Sequence, residues 1–300
     1  MTYNKRLLNQ IPLHLMILPS VIILFIFNYV PMLGIIIAFQ KYIPALGFFK
    51  SSWVNFRNFN VLFTTPGFWQ AIFNTVFIAC MKIAVGITIP VTFAILLNEI
   101  GISKIKRPVQ TIVTMPHFIS WVLLSSIFID ILSPTGGVVN QLLGIVGIKP
   151  VFFLGNNSIF PYVLVITNIW KEFGWASIIY IAALSGIDPS LYEAAIVDGA
   201  GRWKQTLHIT LPGILPTVLL ITCLSLGSIL NAGFDQVYNL ISPITRQSGD
   251  IIDTLVYRMG IEQAQFSIAT AAGLFKSIIS FFIIVFSYKM AYKLSGYRIF

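Results

Sequence analysis

The sequence predicts an all-α integral membrane protein with six membrane-spanning helices and a polar helical loop between the fourth and the fifth. Three observations predict it. Charged residues make up only 10% of the 300 and hydrophobic residues 57%, whereas an ordinary soluble domain carries about 25% charged residues. Unpaired charge is costly to bury, so a chain this poor in charge suits lipid. Six apolar stretches approach or exceed the roughly 20 residues a helix needs to cross a bilayer core. Finally, the stretch Glu193-Ala194-Ala195-Ile196-Val197-Asp198-Gly199-Ala200, followed by Ile209-Thr210-Leu211-Pro212, is a polar, helix-forming island between two long apolar segments. A protein that only had to stay embedded needs no such interruption. One driven by a soluble partner does.

The first span covers residues 13–39. It is too long for a secretory signal core and no small-residue cleavage site follows it, so it reads as a retained span. Pro31 should disturb its hydrogen bonding. The connection that follows is rich in aromatics: Trp53, Phe56, Phe59, Phe63, Phe68 and Trp69. Such residues anchor at membrane interfaces, and extracellular partner contact is the rarer reading. The second span, 70–97, contains Pro90. The third, 109–132, contains Pro116. Packed membrane helices tolerate these breaks when the freed groups are satisfied internally. Turn signals, Pro134-Thr135-Gly136-Gly137 and Gly155-Asn156-Asn157-Ser158, bound the next connection. The fourth span is 160–184, the loop 185–212, the fifth span 213–234 and the sixth 267–292.

Charge sets the orientation. Lys5, Arg6, Lys104, Lys106, Arg107, Arg202, Lys204, Lys289, Lys293 and Arg298 give ten basic residues on one side. Lys41, Lys50, Arg57, Lys149, Arg246 and Arg258 give six on the other. The positive-inside rule places both termini and the 185–212 loop in the cytoplasm of a bacterial cell, across its plasma membrane.

Several function classes fall away. The formal charge of +9 forms no long basic stripe and no recognition module, so nucleic acid is not a partner; lipid is. Cys80 and Cys223 lie in apolar segments, and His14, His117 and His208 lack ligand spacing, so no metal site is expected. There are no paired acids, hydrolase elbow or redox-cofactor fingerprint. A Gly-x-x-x-x-Gly-Lys-[Ser/Thr] phosphate loop is also missing, so this chain binds no ATP by that device and is not an enzyme.

In the island, Asp188 is placed to cap a helix that Pro189 begins. Leu191, Ala194, Ala195 and Asp198 then share a neighbourhood by helical spacing, and Gly199 permits a turn or a close backbone approach. A second short helix over 203–208 precedes Pro212 and Pro216. These residues alone fit a docking element and an ordinary interfacial helix–turn–helix equally.

The island resembles the EAA loop of bacterial ATP-binding-cassette import permeases. That pattern has Glu-Ala-Ala, a glycine four residues after the second alanine, and Ile-x-Leu-Pro after nine more. Glu193, Ala194, Ala195, Gly199, Ile209, Leu211 and Pro212 stand at those spacings, with Asp198 also in agreement. The resemblance implies a type I importer permease fold with a coupling-helix loop that docks ATPases. The stretches 32–42 and 296–300 narrow it to the carbohydrate-uptake branch, and to permeases for complex sugars. It further implies a second, homologous permease subunit forming a heterodimer and two cytoplasmic ATPase subunits carrying ATP and Mg. An extracellular, lipid-anchored solute-binding protein would deliver the carbohydrate.

Polar residues inside the spans are the remaining candidates. Lys82, Asp130, Lys171, Glu172 and Lys276 place charge where charge is costly. Lys82 and Lys276 would reach an interface or face the bundle interior, and Asp130 reads as an interfacial carboxylate. Lys171 and Glu172 serve internal pairing or the pathway; neighbours one residue apart do not share a helix face. Sugar recognition needs hydrogen-bonding groups beside aromatic surfaces. Asn168, Trp170, Trp175, Tyr180, Asn231 and Gln236 supply that chemistry, with Lys171 and Glu172 beside them. Other cargo (a peptide, a polyamine or phosphate) and a membrane assembly or structural role are the competing functions.

Cysteines engineered into the 185–212 loop should react with an impermeant reagent only after the membrane is opened. Reaction from outside intact cells would overturn the topology.

Overall fold

The computed structural model describes residues 2–100 and 103–295, with side chains from residue 12 to 289 apart from 103. The 296–300 stretch, with Arg298, lies outside the described residues, as do the side chains of Lys5, Arg6 and Lys293. The chain divides into two compact units: Met1–Thr65 with Val256–Phe275, and Pro66–Leu255 with Lys276–Phe300.

In the first unit, helix α1 (Thr2–Leu24) widens to a π turn at Phe25–Tyr29, where the Val30 N–H reaches the Phe25 carbonyl. It then tightens to a 3-10 helix, Val30–Phe39. Pro31 has no N–H to continue an α ladder, which accounts for the change of pitch. Strand β1 (Gln40–Lys41) pairs antiparallel with β2 (Ser52–Trp53), Gln40 opposite Trp53, across the single turn α2 (Gly47–Lys50). Helix α3 (Arg57–Thr64) pins this hairpin: the buried Asn58 amide donates to the carbonyls of Ala38 and Gln40 at 2.8 and 2.9 Å. The Tyr42 N–H donates to the Ser267 hydroxyl at 3.0 Å, and its ring meets Phe266 edge-on.

The second unit is built on two long helices, α4 (Phe68–Glu99) and α8 (Phe160–Ser185), packed along each other. Between them in sequence come α5 (Ser103–Thr114), α6 (Trp121–Ile131) and α7 (Val138–Ile145). After α8 come α9 (Pro189–Val197), α10 (Arg202–Gln205), α11 (Leu211–Gly227), α12 (Phe234–Leu240), α13 (Arg246–Gly249) and α14 (Ile252–Tyr257). Helix α15 (Phe266–Ser295) enters this unit at Lys276. Ile78, Phe160, Leu164, Val237 and Ile251 form one apolar core, and Ala94, Tyr180, Leu184 and Ile214 a second. The Asn74 amide donates to the carbonyls of Gln247 and Asp250, and the Ile252 N–H to the Thr75 hydroxyl. These bonds tie the 246–252 segment to α4.

Among the described residues, four helices are long and apolar enough to cross a membrane: Pro12–Phe39, Phe68–Glu99, Arg202–Gly227 and Phe266–Lys289. Lys104–Phe118 with Trp121–Ile131, bent by 102°, makes a fifth if the pair is one span. Where the sequence places the fourth span, α8 has 26 residues, but Lys171-Glu172 in its middle lowers its apolarity.

The prolines divide. Pro116 sits in a 3-10 turn, Met115–Phe118, at the bend before α6, which Ser120 caps by accepting the Leu123 N–H. The segment expected as one span, with its hydrogen bonding perturbed at Pro116, is two helices. Pro90 leaves α4 unbroken; the Thr88 and Thr92 hydroxyls bond carbonyls one turn back on either side of it. Pro212 marks no break either, because Arg202–Gly227 is continuous through a π turn at Thr206–Thr210. The expected fifth span also ends early. Its helix stops at Gly227, and residues 228–233 form a turn closed by the Asn231 N–H on the Ser228 carbonyl at 2.8 Å. Of the aromatics expected at the interface, Trp53, Phe56 and Trp69 are exposed, whereas Phe68 is fully buried.

A Cβ at Gly174 of α8 would collide with the Val113 carbonyl of α5. Backbone cannot give way as a flexible side chain can. Gly174→Ala should therefore lower stability by about 1–3 kcal/mol, read as a lower melting temperature in detergent. Gly144→Ala, with open space around it, is the control. An unchanged melt in Gly174→Ala would refute the close approach.

Candidate functional site

Helix α9 is bounded at both ends by its own sequence. Asp188 caps it, its carboxylate accepting the Ser190 N–H at 2.9 Å. The Ser190 N–H, and then the Ser190 hydroxyl, hold the Asp188 carboxyl below its ordinary range. A lowered carboxyl pKa means the cap contributes at neutral pH, and that contribution is lost as pH falls through it. At the other end the Ala200 N–H bonds the Ala195 carbonyl at 2.8 Å and the Gly199 N–H bonds the Ile196 carbonyl at 3.0 Å. That pair of bonds is a Schellman stop. It needs a left-handed residue, and Gly199 has φ +74°. Nothing lies within 4 Å of where its Cβ would be. Of the two uses the sequence allows for Gly199, the turn is the one formed within this chain.

Glu193, Ala194, Asp198 and Gly199 are exposed, and Ala195 is half-buried. Leu191, Ile196, Val197 and Trp203 leave an apolar surface open around them; Val197 is 87% exposed. Two polar side-chain contacts join the island to the helices behind it. The Tyr192 hydroxyl bonds the Thr210 hydroxyl at 3.0 Å, and Arg202 pairs with Glu99 of α4 at 3.4 Å. Ile209 and Leu211 stand on the continuous helix that leads away, with Pro212 in the first turn of α11.

A second cluster gathers at the bend before α6. Lys171, 5% exposed, donates to the His117 carbonyl at 2.7 Å and to Glu172 at 3.0 Å. Glu172 also meets His117 Nδ1 at 2.6 Å, and the His117 ring stacks on Trp175 with centroids 4.5 Å apart. Lys171 and Glu172 thus do pair, although neighbours in a helix diverge. Both long side chains reach round to the same histidine. Trp170 packs edge-on against Phe128 of α6, and Asp130 is exposed.

A third cluster lines a cleft of about 310 Å³ between α4, α8, α11 and the 228–233 turn. Asn168, Tyr180 and Asn231 are on its wall, with Lys82, Ser225 and Ser228. Lys82 donates to the Ala232 carbonyl at 2.6 Å and to Gln236 Oε1 at 2.5 Å. Gln236 is wholly buried. Beside the cleft, Lys276 donates to Asn231 at 2.8 Å and pairs with Asp253 at 2.5 Å. The eight residues that sequence chemistry offers for cargo therefore do not form one site. Three share the cleft, Gln236 sits behind it, and Trp170, Lys171, Glu172 and Trp175 belong to the bend. Asp253, Ser225 and Ser228 escape sequence reading, because their neighbours come from distant segments and no spacing signals them.

No family model matches the chain. It is 41% identical over 288 residues to the polygalacturonan/rhamnogalacturonan transport system permease protein YteP of Bacillus subtilis (strain 168), covering 96% of this chain and 90% of that one. This chain belongs to the sugar ABC-transporter permease family. The permease is likewise 41% identical to protein LplB of the same organism, over 91% of this chain and 86% of that one. In shape it matches a chain of the crystal structure of a bacterial ABC transporter involved in the import of the acidic polysaccharide alginate. There the TM-score is 0.90 and the identity 37%, covering 98% of the permease and 100% of that chain. A second crystal structure, of an alginate ABC transporter in complex with an alginate pentasaccharide-bound periplasmic protein, gives a TM-score of 0.89 at 38% identity, covering 97% of each chain. The permease is an integral membrane transport subunit.

The side chains of Lys276 and Asp253 are 16% and 25% exposed. Asp253→Ala leaves the ammonium only the neutral Asn231 oxygen and should cost about 1–3 kcal/mol, less than the loss from a fully buried pair. Adding Lys276→Met should restore part of the stability. A double variant as unstable as the sum of the two single ones would mean that the groups are not coupled.

Proposed function

We propose that this permease forms half of the translocation pathway of an ATP-driven importer, carrying an oligosaccharide or complex sugar across the bacterial plasma membrane. Transport proceeds by alternating access, with no covalent change to the cargo. A second, homologous permease subunit completes the pathway as a heterodimer. Two cytoplasmic ATPase subunits bind ATP and Mg and supply the energy, and an extracellular, lipid-anchored binding protein delivers the sugar. Six spans, cytoplasmic termini and a cytoplasmic 185–212 loop complete the arrangement, with α8 as the fourth span and the bent α5–α6 pair as the third.

The observation that carries this reading is the capped, exposed helix α9. It bears Glu193, Ala194 and Ala195 and ends at Gly199 with Leu191, Ile196 and Val197 uncovered. A short rigid helix with an open apolar surface and a carboxylate suits a cleft on a soluble ATPase. Its bond to Thr210 gives a route for motion into α11. The relatives and solved structures named for polygalacturonan and alginate support a sugar polymer fragment as the cargo, and the bound periplasmic protein supports the delivery partner. Asn168, Trp170, Lys171, Glu172, Trp175, Tyr180, Asn231 and Gln236 are the proposed pathway residues. The cleft group faces the cargo, while the bend group braces the wall.

The test is uptake and ATP hydrolysis by the assembled transporter in proteoliposomes, with the isolated permease expected to hydrolyse no ATP. Gly199→Val forces a β-branched residue into a left-handed turn at roughly 1–2 kcal/mol, a factor of about 5–30 in an equilibrium. Gly199→Val should therefore cut sugar uptake about that much with normal membrane insertion, and Glu193→Ala should weaken ATPase assembly in the same direction. Fully coupled uptake in both variants would remove α9 from the coupling role.

A further inference from the structure

Three lysines lie within the helical bundle, and they are not compensated alike. Lys171 has Glu172 at 3.0 Å and Lys276 has Asp253 at 2.5 Å. Among the described residues Lys82 pairs with no carboxylate; its two acceptors, the Ala232 carbonyl and Gln236 Oε1, are neutral. Glu172 acts on Lys82 through its charge, but its own bonds go to Lys171 and His117. An ammonium inside a membrane protein normally pairs or faces a watery cavity on a transport path, and Lys82 lines the cleft.

The mount for this ammonium is built from buried groups. The Gln236 amide donates to the Leu164 carbonyl and to the Thr167 hydroxyl, both at 2.7 Å. Those two bonds leave only the amide oxygen to face Lys82. A Cβ at Gly233 would stand 3.1 Å from Lys82 Nζ, so glycine keeps the approach clear. Two of the three ammonium donors are used, and one remains. The rest of the cleft wall carries neutral polar groups, with no Asp or Glu among its described lining residues. Tyr180 lines it too, is 1% exposed, and its hydroxyl has no hydrogen-bond partner among the described residues. A buried hydroxyl left so is costly unless something else bonds it.

We propose that this cleft is a binding site for an acidic sugar, in which the Lys82 ammonium meets the carboxylate of a uronate unit. Tyr180, Asn168 and Asn231 bond the sugar hydroxyls. One point charge among neutral donors and acceptors matches one carboxylate on a polyhydroxylated ring, and a dianionic phosphate would call for more cations. The proposal rests on the sugar-importer reading and narrows its cargo.

The experiment measures equilibrium binding of a galacturonate oligomer and of its fully methyl-esterified form to the purified permease–ATPase complex, without the binding protein. Esterification removes the charge and keeps the hydroxyls. The acid should bind about tenfold more tightly, a difference of about 1.4 kcal/mol. Lys82→Met should erase the difference, and Lys82→Arg should preserve it. Equal binding of acid and ester by the unaltered complex would overturn the proposal, and that comparison needs no variant to fold. A preference that survives in Lys82→Met would overturn it equally. Binding of neither sugar, by a complex whose ATPase responds to a noncarbohydrate cargo, would instead sink the importer reading on which it rests.

Discussion

An ammonium group within a membrane helix needs acceptors, and a broken helix has carbonyls that need donors. This chain matches the two needs. Lys171 of α8 bonds the His117 carbonyl in the 3-10 turn before α6. Lys82 of α4 bonds the Ala232 carbonyl in the turn after α11. Lys276 of α15 bonds the Asn231 amide oxygen in that same turn. The bend and the 228–233 turn are thus each fixed by a lysine from a long helix. The bend and the 228–233 turn would otherwise leave polar backbone unsatisfied in a medium that cannot supply water.

The same arrangement distributes function. Where the lysine has a carboxylate, the cluster is closed and its chemistry is spent on holding shape. Lys171, Glu172, His117 and Trp175 form such a brace. Where the lysine's hydrogen-bond acceptors are neutral, its amino group stands on the wall of a cleft. Brace and cleft wall thus draw on one device, separated by whether a carboxylate is supplied from within the chain.

The 185–212 island follows a different logic. It lies outside the apolar core, and its order comes from local bonds: the Asp188 cap, the Schellman stop at Gly199 and the Tyr192–Thr210 contact. A helix fixed at both ends while its apolar residues stay uncovered can press on a partner without unfolding. The helix Arg202–Gly227 is continuous and runs from the island to the cleft wall at Ser225.

Local chemistry was legible in the sequence. Lipid as solvent followed from the scarcity of charge, the start of α9 from Asp188-Pro189, its end from Gly199, and the family resemblance from the spacing of the island. Each of these depends on residues within about a helical turn or on composition. The tertiary structure alone decided which prolines break helices: Pro116 ends one at a capped turn, whereas Pro90 is accommodated in α4. It alone decided that Lys171 and Glu172 meet, through a histidine 54 residues away. It also split the polar candidates into a brace and a cleft, and set Lys82 apart from Lys276. Those outcomes depend on which segments lie across from one another, and a pairing between residues 82 and 236 leaves no periodicity to read.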